Sequence, residues 1–361
     1  MSRIVRVLAT EVSAALHSPF VTALRRTETT DTVVVQVHDD DGHVGFGEAP
    51  QVWQVTGESL AGARACVEGP LSAVLVGADP DDLVANCRRI AATVAGNQGA
   101  KGALDVGLHD LAARRREVSL PVFLGGTTLR VPTDVTLSAG DREELARAAR
   151  ERVADGFTVL KTKVGTDPVA DVERVRAIRA DVGPQVRLRL DANQGWTPRD
   201  AVRVITALES AGADVELVEQ PVAAADLDGL AWVTERVGTP VMADEAVYGV
   251  RDLVEVIRRR AADLVNVKLA KSGGLSVART LLELAHSHQV GTMVGSMMET
   301  HVGVGAAASL AAAYPTSTAC DLDAAWWLSA SPVVGGLTYD GPWVVLPDAP
   351  GLGITGLLGS A

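Results

Sequence analysis

FTVLKTKV (residues 157–164), VRLRLDAN (186–193), VELVEQP (215–221), PVMADE (240–245) and DLVNVKL (263–269) are apolar, β-prone runs that end on charge. Lys161 and Lys163 close the first, and Asp191, Glu219, Asp244 and Lys268 close the others. From Lys163 onward the steps between these charges are 28, 28, 25 and 24 residues. That is about the length of one strand, one helix and their two loops. Residues at the same place in successive βα units of a closed barrel converge on one face, where (β/α)₈ active sites lie.

Working outward, strand-like runs recur at 131–137, 157–163, 185–191, 214–220, 240–244, 263–268, 291–296 and 317–321. Amphipathic segments such as REELARAARERVADG (142–156) and DVERVRAIRADVG (171–183) separate them, each ending near a glycine. Strand and helix in alternation imply parallel strands with crossover helices, and eight units favour a closed barrel over an open sheet. The fold class expected is α/β, a (β/α)₈-type TIM barrel. At 361 residues the chain holds one such barrel of about 250 residues and a smaller companion.

The companion is read at the N-terminus. Residues 3–16, 31–38 and 43–50 have strand character, with DDDG (39–42) as a hairpin turn. SPFVTALRRTETTD (18–31) reads as a mobile loop of the kind that closes over a site. A second loop, APQVWQVTGES (49–59), carries Trp53 and ends on a helix-capping Thr56 or Ser59. Helices are expected near 57–75, 79–95 and 98–116, with Arg114, Arg115 and Arg116 as a solvated, dipole-favoured helix end. The Gly- and Pro-rich tail is expected to fold back over this part. The division is thus residues 1–125 as an α+β capping domain, joined by the tail 330–361, and 126–329 as the barrel.

Composition excludes several classes. Hydrophobic residues make up 47% and charged residues 22%, as in globular proteins rather than disordered ones. A net charge of −12 lacks the basic footprint of a general nucleic-acid binder. No G-x-G-x-x-G follows the first strand and no Walker-type loop is present. No signal-like N-terminus and no apolar run of about 18 residues is found, so neither export nor a membrane is expected. Cys66, Cys87 and Cys320 are odd in number and unpatterned, reading as reduced thiols in a cytoplasmic protein. His286, His288 and His301 show no ligand pattern.

Asp191, Glu219 and Asp244 offer hard oxygens from three neighbouring strand ends, a donor set that suits Mg²⁺. Without a cation, converging carboxylates raise one another's pKa. Lys163 and Lys268 belong to the second and sixth strands, which face each other across an eight-stranded barrel. Lys161 lies two residues before Lys163, on the same face, and is a neighbouring cation that lowers a lysine pKa. Opposed bases around a metal fit removal of a proton α to a carboxylate and its return on the other face, through an enediolate.

The ensemble of K-T-K (161–163), DANQGW from Asp191, VEQP, ADE and VKLAKSGG from Val267 resembles the enolase superfamily, muconate cycloisomerase-like subgroup, over nearly the whole chain. The resemblance implies an enolase-like modified barrel with a capping domain, Mg²⁺ on Asp191, Glu219 and Asp244, and Lys163 with Lys268 as the acid/base pair. Lys161 would assist the substrate carboxylate. Within the subgroup, STACDLDAAWW (317–327) places Asp321 and Asp323 where dipeptide epimerases hold a free amino group. The lid would bring Arg25, or its neighbour Arg26, to a side-chain carboxylate, as in L-Ala-D/L-Glu epimerases. Trp53 would close over the substrate, and Glu299 in GSMMET (295–300) would orient groups nearby.

Small residues commonly follow the D-x-D, whereas here Ala324 and Ala325 lead to Trp326 and Trp327, which are expected to pack between barrel and tail. The expected partner is a small-molecule dipeptide, in a homo-oligomer as in related enzymes. An N-acylamino acid racemase, an o-succinylbenzoate synthase or another cycloisomerase-type enzyme would share the lysines and metal. A non-catalytic barrel serving as a binding protein has no reason to keep these buried charges.

Overall fold

The structure is a computed structural model describing residues 2–22, 26–138 and 140–358. Three antiparallel strands, Ile4–Val21, Arg26–Asp39 and Val44–Pro50, form the N-terminal sheet in chain order. Its central strand buries both faces. Val33, Val35 and Val37 meet the helices, while Val34 joins the barrel core. The strand Val44–Pro50 lies directly on the helix Gln98–Arg115. A Cβ on Gly45 would sit 2.1 Å from the Gly107 carbonyl oxygen, and one on Gly47 would sit 1.8 Å from that of Ala103. Only glycine permits that approach.

The segment 18–31 is not the expected loop. Residues 18–21 and 26–31 continue the two strands, with Phe20 paired to Thr27 and Val21 to Arg26, and residues 23–25 lie outside the described residues. Alternating threonines at 27 and 29 suit a pleated ribbon, which the polar composition had masked. Leu16 bridges Leu328, and Ser329 N donates to the Ala15 carbonyl at 2.9 Å, so the hairpin is pinned to the barrel's last segment.

The expected helix at 57–75 is broken at Gly69 and Pro70 into shorter turns, and Ser59 is its cap, accepting from Gly62 N. Arg115 is not a solvated helix end. Its guanidinium lies within 3.0 Å of Asp39, Asp41 and Asp81, while Arg114 meets Asp110 at 2.9 Å. These acids come from distant segments, invisible to a local reading of the arginine run.

The barrel strands are Val135–Leu137, Val159–Lys163, Arg187–Asp191, Val215–Glu219, Val241–Ala243, Leu264–Lys268 and Gly291–Gly295, all parallel and in sequence order. Proline at helix position N1 follows Asp167 and Thr197 caps in two of the crossovers. The expected strand 131–137 is two pieces, because Arg130–Pro132 pairs antiparallel with Trp343–Val345 of the tail. The eighth position is a segment rather than a strand. Cys320 bridges Thr133 and Asp321 bridges Gly295, which shuts the ring.

Beneath the mouth, the fully buried Arg189 ties the ring together from within. It donates to Asp134 at 2.8 Å, to Glu216 at 2.6 Å, to the Ala319 carbonyl at 2.9 Å and to Thr318. The tail also reaches the long N-terminal helix, where Leu352 N donates to Asp110 and Arg114 donates to the Ile354 carbonyl. Trp326 and Trp327 both meet His17 of the N-terminal hairpin. Trp327 stacks on His17 with ring centroids 5.1 Å apart, and Trp326 packs against Phe157 under Arg152. No helix among the described residues is long and apolar enough to cross a membrane.

Candidate active site

Parallel register explains the convergence. Lys163 is paired with Asp191, Asp191 with Glu219, and Glu219 with Met242, two residues before Asp244. Each side chain therefore leaves its strand at the same height and points to the same mouth. Lys161 Nζ lies 2.6 Å from Glu219 Oε2, 3.0 Å from Asp191 Oδ2 and 2.8 Å from Asp321 Oδ2. Lys163 Nζ donates to Asp191 Oδ2 at 2.7 Å, and Lys268 Nζ lies 3.0 Å from Asp244 Oδ2 and 3.8 Å from Asp321. All of these groups are buried.

Their charges are mutually dependent. Burial alone raises Asp191 and Asp244, but Lys161 with Lys163, and Lys268 with Lys271, hold them below the usual carboxylate range. Burial wins at Glu219, which is raised, with Asp191 and Asp244 adding to it. Burial would lower Lys268, yet Asp244, Asp321 and Glu219 hold it above its ordinary value. The expected depression of a lysine pKa is therefore absent at Lys268, because carboxylates outnumber the nearby cations. Lys161 is raised in the same way.

The residues fit the metal that the resemblance implies. Three carboxylates from adjacent strands are hard donors, two of them held ionised. Glu219 Oε1 accepts from Asn266 Nδ2 at 2.8 Å, while its Oε2 has no aligned hydrogen-bond donor. That oxygen is served by charge instead, the Lys161 ammonium at 2.6 Å, so the fit to a metal rests on the three hard carboxylate donors.

A cavity opens above these groups. Lys163, Lys268, Asp244, Asp321 and Asp323 line it, with Phe20 and Val55 from the N-terminal part and Met297 and Met298 from the seventh strand's end. Asp321 Oδ2 is taken by Lys161, whereas Asp323 Oδ2 accepts from Thr136 N at 2.7 Å and from Trp327 Nε1 at 3.0 Å. Asp134 joins them, its carboxylate within 4.8 Å of both.

Other expected residues are placed differently. Trp53 is 59% exposed and turned from the cavity, which its neighbours Gln54 and Val55 line instead. Glu299 lies under the cavity wall, its Oε1 accepting from Met297 N at 2.8 Å, and burial beside Glu48 pushes it up to about 8. Arg25 lies outside the described residues.

Two contributors were missed. Lys271, 1% exposed, lies 2.5 Å from Asp244 Oδ1, and Asn266 holds Glu219. Their positions near Lys268 were the available signal.

The enolase C-terminal domain-like family model matches residues 144–356, and that of the mandelate racemase / muconate lactonizing enzyme N-terminal domain matches residues 4–125. The chain is 41% identical over 346 residues to L-Ala-D/L-Glu epimerase from Clostridium acetobutylicum, covering 96% of this chain and 97% of that one. Among solved structures, the substrate-liganded complex of the L-Ala-D/L-Glu epimerase from Bacillus subtilis superimposes with a TM-score of 0.96 at 41% identity, covering 98% and 99% of the two chains. The dipeptide epimerase from Enterococcus faecalis complexed with Mg and L-Leu-L-Tyr gives 0.94 at 38% identity, with 98% and 99% coverage. With both family models matched in order along a barrel whose mouth gathers these lysines and carboxylates, the chain belongs to the enolase superfamily.

Proposed function

We propose that the chain is a Mg²⁺-dependent dipeptide epimerase, an isomerase that inverts the Cα of a dipeptide's C-terminal residue by two-base proton transfer. The observation that carries this is one cavity lined both by Lys163 and Lys268, from opposite sides of the ring, and by the carboxylates Asp321 and Asp323. One lysine takes the α-proton and the other delivers a proton to the opposite face. Lys161 holds a substrate carboxylate oxygen as negative charge grows on it. Asp321 and Asp323 receive the free ammonium through charge-assisted hydrogen bonds. Asp191, Glu219 and Asp244 would hold Mg²⁺, which when bound supplies positive charge to the substrate carboxylate and competes for the acids that keep Lys268 protonated.

The relatives named above, acting on dipeptides, support the reading. N-acylamino acid racemase and succinylbenzoate synthase substrates have no ammonium for a pair of lining carboxylates. We take 1–125 with 330–361 as the cap and 126–329 as the barrel. The cytoplasmic assignment draws support from three free, buried cysteines. The homo-oligomer rests on the resemblance and is tested by light scattering.

The direct test is incubation of L-Ala-L-Glu and L-Leu-L-Tyr with enzyme and Mg²⁺ in D₂O. Wild type should incorporate α-deuterium and epimerise. Lys163→Ala and Lys268→Ala should each lose epimerisation by about 10²–10⁴-fold while retaining exchange from one epimer only. Absence of α-deuterium in a broad dipeptide panel overturns the proposal.

A further inference from the structure

Trp327 lies four residues after Asp323, beyond Ala324 and Ala325, and its surroundings give it a task. The indole is 6% exposed, and its Nε1 donates to Asp323 Oδ2 at 3.0 Å. Thr136 N donates to the same oxygen at 2.7 Å, so that oxygen is fully engaged by the protein and the carboxylate plane is fixed. On its other side the indole meets Phe20 edge to face, centroids 5.3 Å apart, and stacks on His17 at 5.1 Å. Phe20 and Asp323 both line the cavity. One side chain thus touches a wall residue of the N-terminal hairpin and a carboxylate of the barrel.

We infer that Trp327 is a positioning residue for amino-group recognition: it orients Asp323 toward a substrate ammonium and locks that orientation to the seating of the hairpin residue Phe20 over the cavity. This rests on the dipeptide reading above. Asp323 is buried beside Asp321, and both burial and that neighbour disfavour its ionised form, whereas the indole and Thr136 donors favour it. Losing the indole donor leaves a buried acceptor half served and free to rotate. An ammonium would then meet a less ordered, less reliably charged partner. The indole reaches Lys163 only through Phe20, whose ring centroid lies 5.8 Å from Lys163 Nζ, so a substitution that keeps the aromatic contact leaves the proton transfers in place.

Trp327→Phe keeps the aromatic contacts with Phe20 and removes only the donor. For a dipeptide that wild type epimerises, KM should rise about tenfold, the loss of one hydrogen bond to a charged group, with kcat within about threefold. The preference for the free dipeptide over its N-acetyl derivative, read as the ratio of α-deuterium exchange rates, should fall by a similar factor. In an Asp323→Asn background the same substitution should add little, since the acceptor charge is already gone. Equal losses for free and N-acetylated substrate, or full additivity with Asp323→Asn, would mean that Trp327 only supports the fold and would overturn the inference. If wild type itself exchanges no dipeptide, the epimerase reading fails first, a result distinct from both. Should Trp327→Phe fold poorly, Phe20→Leu tests the hairpin half, with the same fall in preference expected and an unchanged preference refuting it.

Discussion

Replacing Arg189 with Met should cost more stability than any other single change beneath the cavity. The guanidinium is fully buried and satisfies Asp134, Glu216, Thr318 and the Ala319 carbonyl, which belong to two barrel strands or their approaches and to the closing segment. Glu216 is partly exposed and can turn to water, but Asp134 is wholly enclosed and keeps an unpartnered Oδ1 even now. Stripping one partner from a buried ion pair costs about 3–5 kcal/mol. An unfolding entropy of about 2.1 cal/mol/K per residue, over this chain, gives about 0.76 kcal/mol/K, so Tm should fall by about 4–7 °C.

The sign with pH is determined. Asp134 is already raised by burial and by Asp321 against the pull of Arg189. Without the arginine it rises further, so the folded chain binds more protons than the unfolded one, and stability falls as pH climbs above the ordinary carboxylate range. The deficit should therefore be larger at about pH 8 than at about pH 5. Adding Asp134→Asn should recover at least half of it. Thermal unfolding by circular dichroism reads all of this. A Tm within about 1 °C of wild type, or a double variant no better than the single, would refute the account.

Gly295→Ala places a Cβ 2.6 Å from Asn266 Oδ1 and 3.0 Å from Lys268 Cε, so it should displace the base and reduce exchange rates by about 10- to 100-fold with little change in Tm; unaltered kinetics would contradict it. Glu299, raised to about 8 by burial and Glu48, stays protonated in the folded chain at pH values where the unfolded chain has ionised it. Stability should accordingly fall as pH rises from about 5 to about 8, and Glu299→Gln should flatten that slope in denaturant titrations.

The residues whose convergence could be anticipated from sequence share one property: their position is fixed by barrel periodicity. Lys161, Lys163, Asp191, Glu219, Asp244 and Lys268 lie at or within two residues of a strand end, and parallel register carries each to the mouth. Residues whose surroundings come from distant segments were opaque. Arg115 belonged to a basic run, and nothing nearby announced Asp39 or Asp41 as its partners. Lys271 read as an ordinary helical lysine until the short helix Leu269–Ser272 turned it back onto Asp244. The hairpin at 18–31 looked like loop because its polar residues are half exposed, yet its pairing is set by the strand it faces. Trp53 stands beside the residues that line the cavity, since a loop's path decides which of three neighbours turns inward.

The way the ring is shut has a consequence for substitution. Lys163 and Lys268 stand on staves stitched to their neighbours residue by residue, whereas Asp321 stands on one held by single bridges, through its own backbone N and O. Closure there depends on main chain, so the side chain at 321 can be exchanged without reopening the ring. The strands that carry the proton-moving pair keep their stitching through such an exchange, although the charge that Asp321 presents to Lys161 and Lys268 changes with it.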